Sequence, residues 1–270
     1  MNFGLKGKVV VITGAGQGVG REIAKVMAAE GAKVVPNDLY QERAEAVAKE
    51  ITDAGGTAMG IKANIINLDE VKAMMAKTVE TFGPVDILVN NAGVPDPIRR
   101  GEVARTLFIN SGPSDCKFQI DLNIYGWLNC VHAVIGSMVE RRTGKILSVI
   151  SEAGRIGEYN LMVYSGVKAG VLGFTKALAQ EVGRYRINLN CIALGATAHE
   201  GTKPFLNPDH TPETNEILKK MLKNYPIGRG LGRVGRPSDA AAAIAFLASN
   251  QAVFITGQGL SVSGGVSMIG

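Results

Sequence analysis

The sequence predicts an α/β protein built as one doubly wound domain, with a parallel sheet of about seven strands and helices on both faces. Three observations carry that expectation. Short apolar runs rich in β-branched residues alternate along the chain with segments of helical periodicity. The first run, Lys8-Val-Val-Val-Ile-Thr13, passes directly into a glycine-rich turn and then a helical pattern. That order is what a dinucleotide phosphate site requires. Finally, 270 residues that are 46% hydrophobic and 20% charged can cover a large sheet within a single domain, residues 1–270, and are too apolar for disorder.

Each element follows in order. The run Lys8–Thr13 reads as a strand covered on both faces, and Gly14-Ala-Gly-Gln-Gly-Val-Gly20 opens a helix through Glu30. Lys33–Asp38 is a second strand ending in a carboxylate. A helix over Glu42–Ala54, a strand over Thr57–Ile61, a helix over Asp69–Phe82 and a strand over Val85–Val89 continue the alternation. Parallel pairing through right-handed crossovers follows, with ligands expected at the carboxyl ends of the strands. Asn90-Asn91-Ala92-Gly93 ends that fourth strand with two amides and two small residues, which could brace neighbouring strands beside a cofactor or form a plain turn.

The stretch 94–114 is irregular, and its Arg99, Arg100 and Arg105 read as a solvated edge or an anion contact. A long helix over Cys116–Glu140 carries Asn123; Lys145–Ile150 is a buried strand, Val163–Val182 a helix and Arg186–Ala193 the sixth strand. A second irregular stretch, 196–224, encloses a short amphipathic helix from Glu213 to Leu222, in the manner of a lid over a site. Ser238–Ala248 is a capped helix and Gly259–Val262 the last strand.

Composition excludes several functions. The net charge of +5 is spread over mixed-sign segments without a Lys/Arg stripe and interleaved aromatics, so no nucleic-acid partner is expected, though a basic balance suits an anionic small molecule. Cys116, Cys130 and Cys191 lack disulfide or zinc spacing, the start has no signal-peptide core, and the longest apolar run, Ala240–Ala248, is too short for a bilayer. A soluble cytoplasmic protein with no membrane partner and no metal site is the expectation.

The candidate chemistry lies in Ser151–Lys168. Tyr164 and Lys168 are four residues apart, which on a helix places a phenol and an ammonium on one face. The spacing alone also fits an exposed polar face. Asp38 stands where an acid can bind the ribose hydroxyls and repel a 2′-phosphate, or where it could cap the following helix; Gln17 and Leu39 beside it offer no cation for that phosphate. NAD is therefore the expected cofactor.

Thr13-Gly14-x-x-x-Gly18-x-Gly20, Asp38, Asn90-Asn91-Ala92-Gly93, Asn123, Ser151, Tyr164-x-x-x-Lys168 and Ile255-Thr-Gly-Gln, in this order over nearly the whole chain, resemble the short-chain dehydrogenase/reductase family. The resemblance implies a Rossmann-type fold and a Ser-Tyr-Lys mechanism. Tyr164 is then the acid/base at the substrate oxygen, helped by Lys168, which also holds the nicotinamide ribose; Ser151 fixes the reacting oxygen, and Asn123 holds a relay water through its backbone. It also implies cofactor contacts from Gly14, Gln17, Gly18, Val19, Gly20, Asp38, Leu39, Asn64, Ile65, Asn91, Ala92, Gly93, Tyr164, Lys168, Gly195 and Thr197.

The chain departs from the family pattern in places. Ala63-Asn64 replaces an acid near the adenine, Leu194-Gly195 replaces Pro-Gly, His199 stands where a Thr is usual with Thr197 displaced, and Ser263-Gly264-Gly265 replaces Asp-Gly-Gly. His199 could face the substrate or lie in solvent. The resulting expectation is an NAD-dependent alcohol dehydrogenase or ketone reductase acting on a secondary alcohol. The closing run Phe254–Met268 and Met138–Arg142 are similar to members that oxidise alicyclic hydroxyacyl-CoA esters. Alternatives are an NADPH-dependent 3-oxoacyl reductase and a non-catalytic partner subunit or nucleotide-binding module. The family further implies a homotetramer or dimer paired through the two long helices.

Overall fold

The computed structural model describes residues 3–94, 107–198, 213 and 215–269. His199, Arg99, Arg100, Arg105 and most of the two irregular stretches lie outside them.

The described chain forms a parallel sheet. Its strands are β1 (Val9–Ile12), β2 (Lys33–Asp38), β3 (Thr57–Ala58), β4 (Ile61–Lys62), β5 (Ile87–Asn90), β6 (Gly144–Ser151), β7 (Ile187–Leu194) and β8 (Gln258–Val262). The order is β3-β2-β1-β5-β6-β7-β8, with β4 also pairing β2. Every pairing is parallel. The order reverses between β1 and β5, so the crevice at the switch point opens above Thr13 and Asn90.

The helices are α1 (Gly18–Ala29), α2 (Gln41–Asp53), α3 (Leu68–Phe82), α4 (Pro113–Ile120), α5 (Gly126–Arg141), the single turn α6 (Ala153–Ile156), α7 (Met162–Val182), α8 (Glu216–Leu222), α9 (Pro226–Leu231) and α10 (Pro237–Ala248). Alternate residues of each strand point to opposite faces, which divides the core in two. Val10 and Ile12 of β1 pack with Ile23 and Met27 of α1 and Ile244 of α10, whereas Val11 packs with Met74 of α3, Val134 of α5 and Val171 of α7. Strands buried on both sides need apolar residues at every position, and all four residues of β1 are buried.

Three elements differ from the sequence expectation. The strand expected over Thr57–Ile61 is two short strands interrupted at Met59 and Gly60, opposite Pro36 of β2, which faces this edge between the bonded Val34 and Asp38 and has no N–H to donate. Gly60 also lies against α2, where a Cβ would be 2.5 Å from the carbonyl carbon and oxygen of Ala44. The helix expected over Cys116–Glu140 begins earlier, at Pro113, where proline starts a helix without losing a bond. It is also broken by a π-helical turn over Asp121–Tyr125, which carries Asn123. Such turns re-aim one side chain, and periodicity does not reveal them. The short helix expected from Glu213 starts at Glu216, where the side chain of Asn215 accepts from the N–H groups of Ile217 and Leu218.

Gly60→Ala should lower the unfolding free energy by about 1–3 kcal/mol, because α2 or the β3–β4 turn must shift to admit the methyl. Chemical denaturation would measure it, and an unchanged midpoint would refute that close packing.

Candidate active site

The ends of β1 and β5 are joined by side chains. Thr13, fully buried, accepts at Oγ1 from the N–H groups of Asn91 (3.1 Å) and Ala92 (3.2 Å). In return Asn91 Nδ2 donates to the carbonyls of Thr13 (3.0 Å) and Gly14 (2.9 Å). The glycine turn then lies hard against this junction. Gly14 has φ +60° and a Cβ there would sit 2.9 Å from Ala92 Cα; one on Gly20 would meet Asn91 Nδ2 and Gly14 O at 2.5 Å. Only glycine fits these positions, and they leave bare backbone at the N-terminus of α1. Gln17 provides no side-chain cap to α1, whose first turn carries no acid, so the helix end is compatible with an anion.

Asp38, at the end of β2, is nearly buried. Its Oδ2 accepts from Gly16 N–H at 3.1 Å and its Oδ1 from Tyr40 N–H at 3.2 Å, which fixes the carboxylate toward the glycine turn. The capping alternative does not describe it, since the residue preceding α2 is Tyr40. Leu39 is exposed and Val19 half-buried beside this corner. Here the structure adds a residue that no sequence motif marks. Arg43, in the first turn of α2, lies over the Tyr40 ring at 4.4 Å, and both its Cβ and Asp38 Oδ2 are 2.6 Å from where a Gly16 Cβ would be. One turn of helix after the acid is the only signal that could have found it.

At the end of β4, Asn64 Oδ1 accepts from Ile66 N–H at 3.1 Å, so the amide expected to meet adenine is engaged in its own turn. Ile65 is buried against Gly126.

Lys168 is the centre of the remaining residues. Its side chain leaves α7 for the sheet and donates from Nζ to Val149 O at 3.1 Å, with Nζ 5.6 Å from the Tyr164 ring centre. A Cβ on Gly93 would collide with Nζ and lie 2.8 Å from Asn123 Oδ1. Asn123 Nδ2 donates to Gly93 O (3.1 Å) and Gln119 O (3.0 Å), which is the orientation the π turn provides. Burial pushes the Lys168 pKa down from 10.5 to about 8, partly opposed by Cys191. Ser151, half-buried at the end of β6, donates to Leu194 O at 3.5 Å and accepts from Ala153 N–H at 3.2 Å.

After β7 the chain is held from above. Tyr225 OH accepts from Ala196 N–H at 2.9 Å, and its ring packs where Gly195 would carry a side chain. Thr197 donates to Gly195 O at 3.2 Å, so both residues belong to this turn, at the ends of β6 and β7 beside Ser151. The Ile255-Thr-Gly-Gln segment clasps β7: Thr256 Oγ1 accepts from Leu189 N–H at 3.1 Å, and Gly257 N–H donates to Leu189 O.

A doubly wound parallel sheet with a glycine turn packed at its switch point and a tyrosine–lysine pair across the same edge is the frame of a nicotinamide-dependent oxidoreductase. The family model described as short chain dehydrogenase matches residues 8–208, and the chain belongs to the short-chain dehydrogenase/reductase family. It is 36% identical over 266 residues to the (2S)-[(R)-hydroxy(phenyl)methyl]succinyl-CoA dehydrogenase subunit BbsD of Thauera aromatica, covering 98% of this chain and 99% of that one. It is likewise 36% identical to the 3-oxoacyl-[acyl-carrier-protein] reductase FabG of Staphylococcus aureus, over 97% of this chain and 98% of the relative. A solved 7α-hydroxysteroid dehydrogenase, in complex with NADH and 7-oxo glycochenodeoxycholic acid, superposes with a TM-score of 0.85 at 34% identity, covering 98% and 96% of the two chains.

The depressed Lys168 pKa carries a stability consequence with a definite sign. Between about pH 8 and 10.5 the unfolded chain holds this proton more tightly than the folded one, so the contribution to stability rises with pH across that window, and the full penalty applies below it. Lys168→Met should therefore raise the unfolding free energy at pH 7, by roughly 1–3 kcal/mol once the bond lost at Val149 is counted, with the gain fading toward pH 10.5. Denaturation at the two pH values would check it; a destabilised variant at pH 7 would contradict it.

Proposed function

We propose that this enzyme is an NAD-dependent dehydrogenase that moves a hydride between a secondary alcohol, of the hydroxyacyl-CoA class, and the nicotinamide. The observation that carries the reading is the Lys168 ammonium held at the sheet edge beside the Tyr164 ring, next to a backbone cradle that only glycine permits. The bound cofactor supplies the hydride acceptor or donor.

The chain's own residues do the rest. Tyr164 takes the proton from the substrate hydroxyl in oxidation and returns it in reduction. A free phenol, with pKa about 10, is a poor base at neutrality. A nearby ammonium favours the phenolate, and Lys168 is positioned to provide one while its remaining N–H groups reach the ribose. Ser151 donates to the reacting oxygen and so fixes it against Tyr164. Asn123, fixed by its bonds to Gly93 and Gln119, holds a water through its backbone for proton exchange with Lys168. Gly14, Gln17, Gly18, Val19 and Gly20 take the diphosphate, Asn64 and Ile65 border the adenine, Asn91, Ala92 and Gly93 line the cofactor's path, and Gly195 and Thr197 lie toward the nicotinamide.

Asp38 supports NAD, since its fixed carboxylate would repel a 2′-phosphate. The FabG relatives and the nearby Arg43 favour a second reading, an NADPH-dependent 3-oxoacyl reductase. The BbsD relative, named for a CoA ester substrate, and the net charge of +5 support the hydroxyacyl-CoA assignment. That relative is also named as a subunit, which keeps a non-catalytic partner role as the reading that an inactive Tyr164 would favour.

A homodimer or homotetramer is supported by the exposed apolar residues Phe118, Tyr125, Leu128 and Phe174 on α4, the π turn, α5 and α7. Three free cysteines suit the cytoplasm. Among the described residues no helix is long and apolar enough to cross a membrane.

Two measurements test the reading. Titration of the cofactor-free protein should give NADH binding at least about tenfold tighter than NADPH, a difference of about 1.4 kcal/mol; the reverse order would replace the NAD assignment with the second reading. Tyr164→Phe should lower turnover of secondary alcohols and hydroxyacyl-CoA esters by at least about 100-fold, the scale of general-base catalysis, while NADH still binds. Undiminished turnover would remove Tyr164 from the chemistry.

A further inference from the structure

We propose that Asn90, together with Asn123 Oδ1 and Lys168 Nζ, forms a buried site for one water molecule on the sheet side of the ammonium, and that Asn90 is thereby a positioning residue for Lys168. The inference rests on the proposed role of Lys168. It differs from a relay water held by the Asn123 backbone, because the polar atoms it uses are the buried side-chain amides of Asn90 and Asn123.

Asn90 is the last residue of β5, in register with Ser148 of β6, and is 6% exposed. Neither its Nδ2 nor its Oδ1 has a hydrogen-bond partner among the described residues, and the same is true of Asn123 Oδ1. Lys168 Nζ uses one of its three N–H groups, on Val149 O. These four groups converge on one cavity, whose other polar walls are Thr13 and Ser148. Both of those are engaged: Thr13 Oγ1 by two backbone N–H groups, Ser148 Oγ by Trp127 Nε1 at 2.9 Å.

The free valences are complementary. A water there accepts from Lys168 and from Asn90 Nδ2 and donates to Asn123 Oδ1 and Asn90 Oδ1, which is within the two to four bonds usual for buried water. The cavity has room for about one such molecule. Without it, a buried amide would lack every partner, an arrangement that folded proteins avoid.

The consequence falls on the proton of Lys168. A water that accepts from Nζ stabilises the ammonium over the amine. Of the other titratable groups, Tyr164 faces Lys168 from its own helix and Cys191 from β7, with its thiol pushed up to about 11 by burial; β5, β6 and the π turn present amides, hydroxyls and carbonyls. Asn90 is therefore the group through which the buried side of the ammonium can be solvated.

The test uses the intact chain and two variants. Asn90→Leu keeps the branched shape without polar atoms, while Asn90→Ser keeps a hydroxyl and leaves room for water. High-resolution crystal structures should place an ordered water within hydrogen-bond distance of Asn90, Asn123 and Lys168 in the wild type, and none at that point in Asn90→Leu.

Nitrogen NMR titration of the Lys168 Nζ should give a midpoint about 0.5–1 pH unit lower in Asn90→Leu than in the wild type, with Asn90→Ser close to the wild type. A wild-type structure without that water, an equal shift in both variants, or no shift in either would overturn the proposal. If Asn90→Leu does not fold, Asn90→Val takes its place with the same expected fall in the midpoint, and an unchanged midpoint there overturns the proposal. Turnover enters none of these readings, so a failure of the proposed activity would be seen separately, as a wild-type protein that holds the water yet oxidises no alcohol.

Discussion

An ammonium group placed inside a parallel sheet must find partners there, and the carboxyl edge of this sheet is arranged around that requirement at Lys168. Val149 gives a backbone carbonyl, Gly93 leaves out a side chain that would occupy the same space, and Asn123 is turned inward by a π-helical turn that interrupts the helix between Pro113 and Arg141. Each feature is unfavourable or neutral when taken alone. Gly93 forgoes packing, the π turn breaks regular helical bonding, and burial takes the lysine pKa down to about 8. Together they keep one cation close to the Tyr164 ring, where it can favour a phenolate. The stability given up at this point is offset elsewhere, by strands such as β1 and β7 whose apolar residues are covered on both faces.

Most of the fold was legible because it depends on local patterns. The runs at Val9–Ile12 and Ile187–Leu194 announce buried strands, and the glycines at 14, 18 and 20 announce the turn between β1 and α1. What escaped the sequence depends on contacts between distant segments. The break between β3 and β4 falls opposite Pro36 of the neighbouring strand, which has no N–H to donate, and the π turn carries Asn123, whose amide bonds Gly93, 30 residues earlier in the chain. For the site, spacing alone brought Tyr164 and Lys168 to one face. It could not reveal that Asn90 faces inward without a partner among the described residues, or that Tyr225, 29 residues beyond Ala196, closes over Gly195 and Ala196.

The adenosine corner has its own balance of charges. Asp38 has both carboxylate oxygens fixed by backbone N–H groups, so its charge stays in place whichever cofactor approaches. Arg43 stands over Tyr40 on the neighbouring helix, near enough to make this corner less negative than Asp38 alone would suggest. Cofactor choice is therefore a contest between a fixed anion and a cation on a longer, rotatable stem.

Ultraviolet difference titration of the Tyr164 phenol in the NAD-loaded protein measures whether the buried Lys168 ammonium makes Tyr164 a base. The signal is isolated by subtracting the Tyr164→Phe protein. The phenolate is expected at lower pH in the wild type than in Lys168→Met. Coincident titrations in the two proteins would contradict the account.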